Sequence, residues 1–184
     1  IPYHLQLGIR QLAEGNDSEM QHMAQSLPWE YIIKNEIGFI VLSLALVAEK
    51  RKGADSIFHP FLRELPQYCS NAVGRGDTDD LNNLIDWSPT MARRVQQMRQ
   101  GIQTINDSIA ASSVSIEDLQ WAATNVCSRS LVRKRIKELT TDQVESVGEF
   151  AASDHSRMLP VIDLVNHGSL ELANVKVGHF SHNN

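Results

Sequence analysis

The segment Met158-Leu-Pro-Val-Ile-Asp-Leu-Val-Asn-His167 decides the fold that the sequence predicts. It is a short run of Leu, Val and Ile that stops abruptly at Asn166-His167-Gly168. Branched apolar residues in such a run favour a buried strand or turn. Two hydrogen-bonding side chains and a glycine after it are typical of a chain that brings polar groups to a pocket floor. A core strand with a polar cap has the same pattern, so the residue types alone leave both interpretations open.

The composition predicts one globular core, or one core with a small appended domain. The chain has 184 residues, 42% of them hydrophobic, and a net charge of -5. That charge provides no long-range attraction to phosphate groups, so no nucleic-acid partner is expected. Cys69 and Cys127 form no Cys-x-x-Cys pair, so the sequence predicts neither a disulfide framework nor a metal site. A reducing intracellular compartment fits this cysteine usage.

The most apolar window of the chain runs from Ile37 to Ala48 and predicts a fully buried helix. It is bracketed by charged residues and is too short for a membrane span, which needs roughly twenty apolar residues. No transmembrane segment is therefore predicted. We expect a break in helical structure near Asn35 to Gly38, and a helix end at Gly53 after a cationic last turn.

A second helix is predicted to begin at Ser88-Pro89, with Ser88 as cap and Pro89 in the first position. Its apolar residues recur alternately four and three apart, namely Met91, Val95, Met98, Ile102, Ile105 and Ile109. This narrow seam fits either a docking surface for a partner helix or packing against the Ile37 to Ala48 helix, and we favour packing. Gly101 lies in the middle and predicts close contact between the two helices.

A third helix, predicted from Ile116 to Leu131, begins with a capping pattern formed by Ser115 and Asp118. Arg129 and Arg133 lie one turn apart at its end. Positive charges at a helix C-terminus stabilise it by about 0.3 to 1 kcal/mol each at an exposed site. These arginines are therefore explained by helix stability alone unless another observation assigns them a function.

Two segments of the chain together resemble the SET-domain protein methyltransferases of the class that includes the RuBisCO large-subunit lysine methyltransferase. One is Ser115-Ile-Glu-Asp-Leu-Gln-Trp-Ala122 followed by Ser128-Arg129, and the other is Leu159 to His167. Glu49-Lys-x-x-Gly-x-x-Ser56 and Trp87-Ser88 also resemble the helical insertion of that class. The motifs occur in the family's order, and the resemblance spans roughly residues 25–177.

The resemblance implies an α+β fold, a partial SET domain of short strands with a mostly helical insertion. Residues 1–24 are then a remnant of the N-terminal SET half, 25–113 the insertion, and 114–184 a C-terminal SET portion without its final segment. The family's Gly-rich strand pair and its late catalytic tyrosine would lie outside this stretch, because Tyr3, Tyr31 and Tyr68 all precede the Asn-His motif. No catalytic residue is therefore predicted, and we expect the sequence to be an incomplete part of a longer domain.

The cofactor implied by the resemblance is S-adenosylmethionine. Asn166 corresponds to the family residue that hydrogen-bonds the cofactor's amino-acid end, and the backbone of His167 to its adenine contact. The other implied cofactor residues are Asp163, Ser128, Arg129 and Arg133.

The function implied is protein-lysine N-methyltransferase, in some members histidine methyltransferase. The alternative is a SET-like subunit that has lost catalysis and serves as a structural or docking element in a larger assembly. In either case a protein substrate or assembly would be bound through the helical insertion. Likeness to the plant enzyme makes a chloroplast reasonable, with cytoplasm or nucleus as the other intracellular sites. Substrate identity and oligomeric state are not predicted.

Overall fold

The fold is that of a computed structural model, which describes residues 7–8, 12, 18–35, 37–67, 82, 85–109, 113–132 and 156–158. These residues are mostly helical, with three short strands. The helices are α1 (Ser18–Gln25), α2 (Trp29–Lys34), α3 (Phe39–Arg51), α4 (His59–Glu64), α5 (Pro89–Ser108) and α6 (Ile116–Arg129). The strands are β1 (Leu7–Gly8), β2 (Ser130–Val132) and β3 (Ser156–Met158). A mostly helical α+β chain was expected, and this coarse prediction is confirmed.

Helix α3 is the centre of the described core. All residues from Ile40 to Glu49 are buried, as expected for a helix that is apolar on every side. It packs most extensively against α6 and also contacts α1, α4 and α5. The predicted buried helix at Ile37 to Ala48 is therefore confirmed, as is the break near Asn35 to Gly38 that separates α2 from α3.

The chain leaves α3 through a tight turn at Gly53. Gly53 has a φ of 56°, which residues with a Cβ rarely adopt. Glu49 is buried in the last turn of α3 and forms an ion pair with Lys52. The Ser56 hydroxyl donates to Glu49 Oε2 at 2.6 Å and accepts from the Phe58 amide at 3.0 Å. The Glu-Lys-x-x-Gly-x-x-Ser motif therefore builds this turn.

Helix α5 crosses the core with Gly101 against α3. A Cβ built on Gly101 would lie 2.8 Å from Ile37 Cδ1 and 3.2 Å from Ile40 Cδ1. The apolar seam is buried from Val95 through Ile109, apart from the partly buried Met98. Packing against the Ile37 to Ala48 segment is confirmed at Gly101, whereas α5 as a whole packs more extensively against α6. Only the first member of the seam differs, since Met91 is 56% exposed.

Helix α6 begins as the sequence predicts, because the Ser115 hydroxyl accepts a hydrogen bond from the Asp118 amide at 3.1 Å. The predicted extension to Leu131 is wrong. The helix ends at Arg129, and Leu131 lies in β2, opposite Arg157 of β3. Strand pairing with a distant segment replaces the last helical turn, since each backbone group can serve only one ladder.

The three strands form an antiparallel sheet in the order β1-β3-β2. Met158 of β3 is fully buried and lies between Leu7 on one side and Ser130 on the other. The sheet thus joins chain segments that are far apart in sequence. Strands β1 and β3 contact α3, so the sheet packs against the central helix.

Most of the buried apolar residues form one cluster that extends from Leu7 to Met158, with Ala92 and Val95 outside it. It draws on all three segments of the predicted domain division, at 1–24, 25–113 and 114–184, and that division stays a prediction. None of the helices in the described ranges combines the length and the apolar character needed to cross a membrane.

Candidate cofactor-binding site

The sheet register brings Met158, the residue before the Leu159 to His167 motif, to the end of α6. Strand β2 begins at Ser130, directly after Arg129, and Ser130 lies opposite Met158. Met158 is followed at once by Leu159, the first residue of the Leu159 to His167 motif. Met158, the residue before the second motif, therefore lies next to the end of the first motif, although the paired positions Ser130 and Met158 are 28 apart in sequence number.

Ser128 lies on the exposed side of the last turn of α6. Its hydroxyl donates to the carbonyl oxygens of Thr124, at 2.9 Å, and Asn125, at 3.2 Å. A hydroxyl has one hydrogen but two acceptor lone pairs. The Ser128 oxygen is therefore held in a fixed position by its own helix while still able to accept a hydrogen bond from a ligand.

Arg129 is the last residue of α6 and is half-buried. Its Nε atom, one of the three guanidinium nitrogens, is shielded from solvent, so the charged head lies partly inside the protein. A guanidinium presents a rigid fork of N–H donors that matches a carboxylate. The donor chemistry at this helix end thus fits the α-carboxylate of an amino-acid-like group such as that of S-adenosylmethionine.

The other four predicted cofactor residues, Arg133, Asp163, Asn166 and His167, lie outside the described residues. Their proximity to Ser128 and Arg129 stays a prediction, because the β2–β3 register reaches only Met158, the residue before the segment.

Beneath Ser128, α6 carries a buried polar pair that the sequence analysis missed. Thr124 and Asn125 are 4% and 2% exposed. Asn125 Nδ2 donates to the carbonyls of Trp121, at 3.0 Å, and Pro66, at 3.3 Å. The Thr-Asn pair inside an otherwise apolar helix face could have indicated this buried pair. Polar side chains are buried on such a face only when they have hydrogen-bond partners.

Trp121 connects α6 to the segment that follows α4 by a hydrogen bond. Its indole Nε1 donates to the Pro66 carbonyl at 2.9 Å. Lys50 Nζ lies 4.3 Å from the centre of the Trp121 ring and 2.8 Å from Asp118 Oδ1. Asp118 and Trp121, the Asp-x-x-Trp residues of the motif, therefore link α6 to α3 through Lys50. Their contacts stabilise the fold.

Cys127 is the one free cysteine among the residues whose structure is described. Burial raises its pKa to about 12, and the charge of Arg94 opposes that rise only in part. The thiol is therefore protonated at neutral pH and unsuited to nucleophilic chemistry. Among the described residues there is also no group of three His, Cys, Asp or Glu side chains placed to hold a metal ion.

An open cleft of about 400 Å³ is formed by Pro28 and the exposed side of α2, with Trp29 and Tyr31 in its wall. None of the predicted cofactor residues lines it. The cleft is lined by a single local segment, and the arrangement lacks the convergent polar groups from several elements that are typical of a small-molecule site.

Comparison of the chain with protein-family models, with curated proteins and with solved structures found no match.

Proposed function

We propose that this chain is part of an S-adenosylmethionine-dependent protein-lysine N-methyltransferase of the SET type. The observation that supports the proposal most directly is the pairing of Ser130 with Met158. This register places Met158, the residue before the Leu159 to His167 segment, opposite Ser130 and so next to Ser128 and Arg129. The resemblance implies that these two residues and the Asn-His motif share one pocket. Ser128 and Arg129 would contribute to the cofactor pocket.

Methyl transfer to an amine is an in-line displacement at carbon, for which the cofactor supplies an electrophilic methyl group on sulfur. The protein must align the reactants, exclude water and receive a neutral amine. Lysine has an ordinary pKa of about 10.4, so the substrate ammonium has to lose a proton first. Such a site requires no nucleophilic side chain, and the protonated thiol of Cys127 is compatible with it.

In the proposed pocket, Arg129 binds a carboxylate through charge-assisted hydrogen bonds. Ser128 presents an acceptor oxygen whose position is fixed by the carbonyls of Thr124 and Asn125. The buried Met158 and the apolar residues after it would shield the site from water. Asn166, Asp163, Arg133 and the backbone of His167 complete the proposed contacts.

The proposal is tested by titrating the complete protein with S-adenosylmethionine in a calorimeter. Asn166→Ala is expected to abolish the binding heat, because the asparagine amide would hold the cofactor's amino-acid end. Asn106→Ala, at the partly exposed end of α5, is the matched control and should bind as the wild type does. Unchanged heats with Asn166→Ala would refute the assignment.

A second candidate function is a catalytically inactive SET-like subunit that acts as a docking element. The observation that favours it is the exposure of Trp87, at 92%, beside the helical region that would make the contact. For this role we expect the native protein to co-purify with a larger assembly. A clean monomer on size exclusion, together with measurable methyl transfer, would reject it.

A further inference from the structure

A single backbone carbonyl, that of Pro66 in the segment after α4, accepts two hydrogen bonds from side chains of α6. Trp121 Nε1 donates to it at 2.9 Å and Asn125 Nδ2 at 3.3 Å. The Asn125 amide also donates to the carbonyl of Trp121 at 3.0 Å, so it bridges the helix and the Pro66 segment. Both residues are buried, with exposed fractions of 5% and 2%. We name these two donors and their common acceptor the Pro66 link.

The Pro66 link is not needed to bury α6. This helix packs most extensively against α3, and its apolar residues Leu119, Ala122 and Val126 have no exposed surface. Apolar burial is non-directional, so it permits small rotations and slides of a helix. Hydrogen bonds weaken steeply when their length or angle changes. Two such bonds to one oxygen atom therefore fix the position of α6 more narrowly than its apolar packing does.

The link lies one turn before the two candidate cofactor residues at the end of α6. Asn125 precedes Ser128 by three positions and Arg129 by four, and side chains at these spacings lie on the same side of a helix. The Ser128 hydroxyl donates to the Asn125 carbonyl at 3.2 Å as well as to that of Thr124. The side chain of Asn125 is thus fixed to Pro66, while its backbone holds the Ser128 oxygen. A shift of Asn125 would move both candidate residues with it.

We infer that Trp121 and Asn125 are positioning residues for the candidate cofactor site. Their bonds to Pro66 hold the last turn of α6 in the orientation from which its two candidate residues bind S-adenosylmethionine. The inference rests on the proposed function. Neither positioning residue is assigned a contact with the cofactor, and a binding site tolerates displacements of only about 0.5 Å in the residues that form it. Since Pro66 lies within residues 25–113, the predicted helical insertion would influence the affinity of a site that it does not line.

The test compares the binding of S-adenosylmethionine to the complete protein and to two variants of the link, by calorimetric titration. Asn125→Leu has a similar shape but no donor. Trp121→Phe keeps a ring beside Lys50 but loses the N–H group. Ser56→Ala is the matched control, because it removes a buried hydrogen bond at another point, in the turn after α3.

The loss of stability is separated from the loss of positioning by measuring both. Urea unfolding gives the folded fraction of each variant, and dissociation constants are compared at a temperature where nearly all molecules of every variant are folded. With about nine-tenths folded, instability alone raises the apparent dissociation constant by only about 1.1-fold. We expect Asn125→Leu to raise it about tenfold and Trp121→Phe at least about threefold, as for the loss of one buried hydrogen bond. Ser56→Ala should stay within about twofold of the wild type.

Two results would overturn this inference and leave the proposed function standing. In the first, the wild type binds and both link variants bind within about twofold of it. In the second, Ser56→Ala weakens binding as much as the link variants do, so that affinity follows stability and not the position of α6. An absence of binding by the wild type would instead refute the proposed function, and the inference with it. If Asn125→Leu does not fold, Trp121→Phe decides between these results.

Discussion

Met158 lies opposite Ser130 across an antiparallel pair of strands, and Leu7 flanks it on the other side. Through this pairing the last turn of α6, with Ser128 and Arg129, adjoins the residue that precedes the Leu159 to His167 motif. Met158 is fully buried, which makes the register specific, since a slip by one residue would turn its side chain to the opposite face. The position of the candidate site therefore depends on a single strand register.

Gly101→Ala should destabilise the protein. The new methyl group would overlap Ile37 Cδ1 in a fully buried contact, and overpacking of this kind outweighs the gain in helix propensity, for a net loss of about 1 kcal/mol. Urea unfolding measures the difference. Ile37→Val removes the clashing atom, so the double variant should be less destabilised than the sum of the two single variants. Strict additivity would show that the helices do not meet there.

Gly53→Ala should also lower the free energy of unfolding, by roughly 1 to 2 kcal/mol, because Gly53 has a φ of 56°. No neighbouring atom would obstruct the new methyl group, so the cost is one of backbone conformation alone. Gly53→Asn is the informative control, since asparagine tolerates this conformation better than alanine. Equal losses for the two variants in urea unfolding would contradict this explanation.

Ser56→Ala should destabilise the turn after α3. The hydroxyl donates to the buried carboxylate of Glu49, and a hydrogen bond to a charged group contributes about 1.5 to 3 kcal/mol. Thermal unfolding monitored by circular dichroism tests this prediction. Ser108→Ala is the control, because the exposed Ser108 hydroxyl bonds only to the Thr104 carbonyl of its own helix among the described contacts, and it should cost less than about 0.5 kcal/mol.

Stability should depend on the ionisation of Glu19 in acid. The Ser113 amide, then Arg51, then the Ser113 hydroxyl bond to its carboxylate, at 2.6, 2.8 and 3.0 Å, and they lower its pKa from 4.5 to about 2. A carboxyl group whose pKa is lower in the folded state stabilises the fold above pH 4.5, and this contribution disappears as the pH falls from 4.5 towards 2.

The comparison that isolates this effect is Glu19→Gln against wild type in urea unfolding at pH 6 and at pH 3. The gap in stability should be larger at pH 6, and it should shrink in 1 M salt because the network is partly exposed. Glu30→Gln, on the exposed side of α2, serves as control. A gap that stays constant between the two pH values would mean that Glu19 does not bond to Ser113 and Arg51 as described.

Local patterns were sufficient to predict the helices. The apolar window identified α3, the Ser115 and Asp118 pair identified the start of α6, and Gly101 identified the close helix contact. Each of these features depends on residues within a few turns of one another or on one packing constraint. The structure confirmed them because local preference and tertiary packing agree at these positions.

The sheet could not be predicted in the same way. Strands of two or three residues, such as β1 and β3, are too short to show an alternating pattern, and their partners are distant in sequence. For the same reason the end of α6 was placed two residues late, at Leu131. The buried Asn125 was missed because its acceptor, the Pro66 carbonyl, lies in a distant segment. Of the candidate site, residue types were predicted from resemblance, while the position of Met158 beside the end of α6 came only from the strand register.

The central claim is that Arg129 and Asn166 act in one S-adenosylmethionine pocket, and a double-mutant cycle tests it most directly. The dissociation constant for S-adenosylmethionine would be measured for the complete wild-type protein, for Arg129→Ala, for a conservative Asn166→Asp, and for the double variant. Arg63→Ala, an exposed arginine on α4, is the control. We predict that both single variants weaken binding. The loss of binding free energy in the double variant should differ from the sum of the two single losses by more than about 0.5 kcal/mol, because losses at independent sites usually add to within that amount. No binding by the wild type, or purely additive losses, would contradict the claim.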